Sequence, residues 1–344
     1  MRSAISGAVI LISPLSFIPK NQLLREFLGV FMERCRPKRV LEVFIIVTYV
    51  STFGLAAIGG FKIDFIGIAP LVALVCIFLM IGAFCTRFGM LDIRAGIRCV
   101  VYALLLAPPI TLSTYLGVWL SMPLQDQNLA FADAALGFDW ASTIYFVDSQ
   151  PLLAAIFNVA YLTFSFQLLL WPLILAAFKH EARARLMVAG FAVICFLSSF
   201  ISIWTPAIGT YAYYGFDGAT LKNLDILYGY YFLDEFNAVR EDSNFVWNLA
   251  SSKGILTFPS VHVATGLLCA WAAWPLKALR YPAILLNVAM ACSAVTSAGH
   301  YAIDVIAGCG VAMVSIAFLV WITGAGRSSA GGPEVSRSAI SLSK

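Results

Sequence analysis

The feature that most constrains this chain is a series of apolar runs, each close to 20 residues long. A helix needs about that length to cross the hydrocarbon core of a bilayer, and a soluble core of ordinary size has no use for so many. Eight runs qualify: residues 41–60, 65–85, 97–121, 151–178, 186–206, 257–276, 281–298 and 301–323. Only Ala298, Gly299 and His300 separate the last two. Composition agrees: 12% of the 344 residues are charged, against roughly 25% in a soluble domain. The expected fold class is all-α, a polytopic membrane protein of about eight transmembrane helices.

Charge then sets an orientation. With the loops numbered alternately, four of the 22 Lys and Arg fall on one side (Lys62, Lys222, Arg240 and Lys253), leaving 18 on the other with the N-terminus and the tail. Lys and Arg collect on the cytoplasmic side of membrane proteins, so both termini are expected in the cytoplasm. An odd number of spans would scramble this sorting. Loops 122–150 and 207–256 then face away from the cytoplasm. Neither carries an Asn-x-Ser/Thr acceptor, which suits a bacterial inner membrane. Within the first loop, Leu129 to Trp140 reads as an amphipathic stretch in the interface. Residues 4–18, broken by Pro14 and Pro19, read as an interfacial segment, and 324–344 as a disordered tail. The eight cysteines form no CxxC pair and lie mostly in apolar runs, where free Cys packs as a small hydrophobe.

Three histidines are present. His180 sits among Lys179, Arg183 and Arg185 and reads as a headgroup-facing residue. His262, in Gly254-Ile-Leu-Thr-Phe-Pro-Ser-Val-His262, stands at the outer end of the sixth expected span. His300, in Ser297-Ala-Gly-His300-Tyr-Ala-Ile-Asp304, stands at the outer end of the eighth. Taken alone, each His is an ordinary interfacial residue. Together they meet on one membrane face, and Asp304 lies four residues after His300, on the same helix face. A carboxylate within a span is costly unless it has a partner or a task. Bonded to one ring nitrogen of His300, it would fix the tautomer and free the other nitrogen to attack. Helix starts also favour anions, and Pro259 and Ser260 fit a helix start.

These residues resemble a known family. Phe258-Pro-Ser-Val-His262 is similar to the second signature of the type 2 phosphatidic acid phosphatase (PAP2) superfamily, and Gly299-His-Tyr-Ala-Ile-Asp304-Val-Ile-Ala-Gly308 to the third. Gly254-Ile-Leu-Thr-Phe-Pro-Ser260, Leu136-Gly-Phe-Asp-Trp140, Tyr161 and Gln167 resemble its inositol phosphorylceramide synthase-like branch. The resemblance covers residues 97–323, implying a six-helix catalytic core. Residues 1–96, with the N-terminal segment and two further spans, would be an addition, and 324–344 a cytoplasmic tail. It implies His300 as the nucleophile that forms a phosphohistidine, Asp304 as the residue that orients it, and His262 as the general acid. Ser260 and the backbone near Gly299 would donate to phosphate oxygens. The scheme needs no metal and no cofactor. Its partners are a phospholipid or lipid-phosphate substrate and the membrane lipids, with no place for nucleic acid and no statement about oligomeric state.

The chain also departs from the family. The first signature, with its Lys and Arg-Pro, is missing, and Ala294 stands where the third signature usually has Arg. Arg240 first and Lys253 second are the expected replacements as phosphate-binding cations. A site with fewer cations suits a singly charged phosphodiester better than a monoester, which carries up to two charges. Transfer of a phospholipid headgroup is therefore expected ahead of plain lipid-phosphate or isoprenyl-pyrophosphate hydrolysis. Two readings compete: a His/carboxylate metal site, which leaves Phe-Pro-Ser without a role, and a transporter with a His–Asp proton relay. Against the transporter, the polar residues gather at one membrane edge, whereas transporters bind near the midplane.

Overall fold

Hydrocarbon offers no water to backbone N–H and C=O groups, so an apolar run satisfies them within itself as a helix. The computed structural model describes residues 37–216 and 218–324 and follows that rule. The long elements are α1 (Pro37–Gly59), β1 (Lys62–Asp64), α2 (Ala69–Arg87), α3 (Leu91–Trp119), α4 (Asp126–Ala135), α5 (Trp140–Asp148), α6 (Pro151–Ala177), α7 (Glu181–Ser202), α8 (Leu233–Glu241), β2 (Val246–Asn248), α9 (Val261–Ala273), α10 (Arg280–Ser297) and α11 (Ala302–Thr323). The chain is an all-α polytopic membrane protein. The expected N-terminal interfacial segment and the tail beyond Gly324 lie outside the described residues.

Among the described residues, six helices are long and apolar enough to cross a membrane: Lys38–Gly59, Phe65–Arg87, Leu91–Trp119, Pro151–Ala177, Glu181–Ser202 and Ala302–Thr323. The expected eight is corrected by the other two. The run at 257–276 shrinks to the 13 residues of α9, because Phe258-Pro259-Ser260 delays its start and Pro275 follows its end. Proline lacks the N–H and the space to continue a helix. The run at 281–298 becomes the 18-residue α10, which begins at Arg280 and buries Asn287, Ser293, Thr296 and Ser297. Both still pack inside the bundle. Conversely, α3 and α7 begin earlier than expected, at Leu91 and Glu181. Arg94, Arg183 and Arg185 thus join helices, with stems long enough to carry their charges outward.

Helices α3, α6, α7, α9, α10 and α11 form the bundle around a core that includes Leu106, Leu175, Ile194, Leu268 and Ala312. Helices α1 and α2 pack on α3, with Ile46, Val50 and Ile58 of α1 and Val72, Met80 and Phe84 of α2 left exposed. Apolar surface on this scale belongs against lipid.

One element has no counterpart in the expected fold. β1 pairs in parallel with β2, with Lys62, Ile63 and Asp64 opposite Val246, Trp247 and Asn248. The Asn248 amide donates to Asp64 Oδ2 at 2.8 Å. Trp247 is fully buried beside Tyr115 of α3, ring centroids 6.4 Å apart. The long loop 207–256 is thereby tied to the first helical hairpin.

Candidate active site

His262 lies in the first turn of α9 and His300 just before the start of α11, and these two helix starts touch. Ser260 caps α9, its hydroxyl accepting from the Val263 N–H at 3.5 Å, so Pro259 stands before the cap and not in the first turn as expected. The Ser260 N–H donates to the Asp304 carbonyl at 3.3 Å. The approach is close because Gly308 lies beneath: a Cβ there would come within 2.5 Å of the Ser260 carbonyl oxygen. This crossing brings His262, in the first turn of α9, beside His300, just before α11.

His300 Nδ1 lies 3.0 Å from Asp304 Oδ2, and the Tyr301 N–H donates to the same oxygen at 3.1 Å. Asp304 is fully buried and His300 nearly so. Asp304 Oδ1 has no hydrogen-bond partner among the described residues. With Nδ1 committed to the carboxylate, Nε2 is the ring nitrogen left for other chemistry. Gly299 allows the turn that precedes it. Its φ of +69° suits glycine, and a Cβ would meet the Tyr211 ring at 2.6 Å.

Two further carboxylates support the turn from α4. Asp133 accepts from the Ala302 and Ile303 N–H groups, both at 2.8 Å, and so satisfies free donors at the start of α11. Asp126 accepts from Tyr301 Oη at 2.9 Å and from the N–H groups of Ile208 and Gly209 at 3.0–3.1 Å. Burial pushes both carboxyls up from the usual range, and these donors act the other way. The stretch expected to lie in the interface therefore has a different character. Its exposed face does carry Phe131 and Leu136, but the face with Asp126, Leu129 and Asp133 is buried under the turn at His300 and Tyr301.

His262 is held otherwise. Its ring stacks on Tyr161 at 4.4 Å between centroids and 16° between planes, and packs on Phe164 at 4.3 Å. His262 and His300 both line a cavity of about 300 Å³, bounded by α3, α6, α7, α9 and the loop 228–257. Lys253 lines it as well, with Nζ donating to the Tyr231 carbonyl at 2.6 Å. Thr111, Thr114, Tyr161, Tyr228, Tyr231, Ser252 and Thr257 add hydroxyl groups to its wall.

The other sequence candidates fall elsewhere. Arg240 does not line the cavity: its guanidinium donates to the Met122 carbonyl at 2.9 Å and lies over Phe236. Ser260 is fully buried as a helix cap, and Gly299 lies between the lining residues Ala298 and His300. Gln167 accepts from Trp171 and Asn287 within the bundle. Among the described residues, no three His, Cys, Asp or Glu side chains gather as a metal-ligand set, and the described cysteines are free.

A model of the PAP2 superfamily matches residues 127–318, more than half of the chain. The chain belongs to the PAP2 superfamily. The match takes in nearly all of α4 through most of α11, and with them His262, His300, Asp304 and Asp133, while Asp126 lies one residue before it. No curated protein and no solved structure matches the chain. PAP2 proteins are phosphatases and phosphotransferases, and the apolar helices fit a PAP2 enzyme working on lipid phosphates within the membrane.

Sequence reasoning did not single out Asp126, Asp133, Phe164 or the tyrosines of the loop as parts of this site. Four acids without any Lys or Arg in loop 122–150 was the available signal: unpaired carboxylates beside an apolar core must find donors somewhere.

Proposed function

We propose that this PAP2 protein transfers the phosphoryl-linked headgroup of a membrane phospholipid to a hydroxyl acceptor, on the face of the membrane away from the cytoplasm. His300 Nε2 attacks phosphorus, a P–N bond forms, and the bond to the leaving oxygen breaks. His262 gives that oxygen its proton. An acceptor hydroxyl then attacks the phosphohistidine, loses its proton to His262, and releases His300. Asp304 holds the imidazole in the attacking tautomer and balances its charge.

The observation that carries this reading is the His300–Asp304 pair opening on the same cavity as His262. Among the described residues, Lys253 is the one Lys or Arg in the cavity wall, which suits the single charge of a phosphodiester. The hydroxyl-bearing side chains around it suit a headgroup with several hydroxyls, and so favour an inositolphosphotransferase of the inositol phosphorylceramide synthase-like kind. Arg240 enters the scheme only through the loop it braces, and Lys253 takes the role of phosphate-binding cation. Ser260 serves as a cap, and because the N–H groups of His300 and Tyr301 are committed to Ala294 and Asp304, the backbone donor for a phosphate oxygen is the Gly299 N–H.

The test is turnover of purified protein on phosphatidylinositol labelled in the headgroup, with ceramide or diacylglycerol as acceptor, beside phosphatidic acid and an isoprenyl pyrophosphate. Label is expected on the acceptor lipid, together with an acid-labile, base-stable phosphoprotein that His300→Ala lacks. Release of free phosphate alone, from phosphatidic acid or the pyrophosphate, would convert the reading to a phosphatase. Full activity in His300→Ala would end it.

A further inference from the structure

A second cavity, about 580 Å³, lies between α9 and α10. Val263 and Gly266 stand at its inner end and Trp271 and Trp274 at its outer end. The 11 steps from Val263 to Trp274 rise about 16 Å along the helix, close to half the ~30 Å hydrocarbon core. That is the depth of one leaflet. The walls between α9 and α10 are apolar except at Asn287, whose amide N–H groups are committed to Gln167 and Ala283.

The outer end is cationic. Arg183 lies 3.3 Å over the Trp271 ring and donates to the Trp271 carbonyl. Arg280 lies over Trp274 at 5.5 Å. Among the described residues, neither guanidinium has a carboxylate within ion-pair distance, and the Nε of each is buried without a hydrogen-bond partner. Two unneutralised cations at headgroup depth, above an apolar slot one leaflet deep, describe the complement of one molecule.

We propose that this groove is a binding site for an anionic phospholipid of the leaflet opposite the reaction, with the phosphate between Arg183 and Arg280 and an acyl chain along α9 towards Val263. The proposal is independent of the transfer chemistry, because the groove shares no lining residue with the catalytic cavity.

Delipidated full-length protein in detergent, titrated with dioleoyl phosphatidylglycerol or dioleoyl phosphatidylcholine and followed by native mass spectrometry, tests it. One phosphatidylglycerol is expected to stay bound, preferred by about 25-fold, or about fivefold for each basic residue at an anionic surface. The double variant Arg183→Gln/Arg280→Gln should bring the preference close to one. Ala291→Trp, which fills the groove, should release the lipid with both arginines present. Equal retention of the two lipids by wild type, or a preference that survives the double variant, overturns the proposal. Should the variants not fold, wild type in mixed vesicles decides. Brominated phosphatidylglycerol must quench tryptophan fluorescence more steeply than brominated phosphatidylcholine, and equal quenching rejects the site.

Discussion

The two halves of the candidate site are fixed by different forces. His300 stands on a lattice of directional bonds: Asp304 on its ring, Asp133 under the next helix turn, and Asp126 holding Tyr301 to the loop at Gly209. His262 has ring faces on either side, Tyr161 and Phe164, and no hydrogen bond among the described residues. The contrast matches the proposed roles. A nucleophile gains from one tautomer and one direction of approach, which carboxylates impose. A proton donor that later accepts must exchange a proton at its ring nitrogens, and stacking limits the ring's position through its faces while leaving those nitrogens uncommitted.

The sharpest way to break this contrast is at Asp304. Asp304→Asn keeps the shape and removes the charge, and turnover should fall on the order of 10³- to 10⁴-fold, the scale of a carboxylate-to-amide change behind a catalytic histidine. A loss under tenfold in a steady-state lipid assay would mean that the pair is structural. His262→Gln comes next, with an expected loss of about 10²- to 10⁴-fold. The sharper measurement replaces the lipid alcohol by a nitrophenolate leaving group, which needs no proton. Most of the deficit should then vanish, and a deficit of equal size on both substrates would remove His262 from the acid role.

Asp133→Ala tests the lattice at one remove. It strips the acceptor from two partly buried N–H groups, costing up to roughly 1–3 kcal/mol each, and should lower the melting temperature in detergent. Because misplacing a reacting group is expensive, kcat should fall by about tenfold with KM little changed. An unchanged kcat at lowered stability would confine Asp133 to folding. The smallest effect belongs to the ring sandwich. Tyr161→Leu should cost about two- to tenfold, matching about 0.5–1.5 kcal/mol for an aromatic pair, while Tyr161→Phe should be near wild type. If both variants lose equally, the hydroxyl and not the ring face is what His262 needs.

The fold class was readable because hydropathy over 20 residues reports one dominant cost, the burial of backbone in lipid. The His300–Asp304 pair was readable from its four-residue spacing, although the structure forms it across a helix start, with His300 one residue before the cap Tyr301, and not on one helix face as expected. The rest depended on contacts distant in sequence. Asp133 meets Ala302 across 169 residues, and no local pattern announces that. Ranking Arg240 ahead of Lys253 failed to anticipate the cavity wall for the same reason: both are cations of one long connection, and tertiary packing turns one to Met122 and the other to the Tyr231 carbonyl in the wall of the cavity that the histidines line. The expected count of eight spans overreached where Pro259 and Pro275 trim a run that hydropathy alone treats as continuous.

The short parallel pairing of Lys62–Asp64 with Val246–Asn248 has a bearing on ancestry and on engineering. A hairpin appended to a catalytic bundle is usually thought of as a cassette, free to be lost or exchanged. Here it has lent backbone to the segment that presents Lys253, so the two stretches must be inherited, transplanted or deleted as a unit. A chimera that takes residues 127–318 without the strand from the first hairpin would receive the histidines but leave an edge of that segment unpaired.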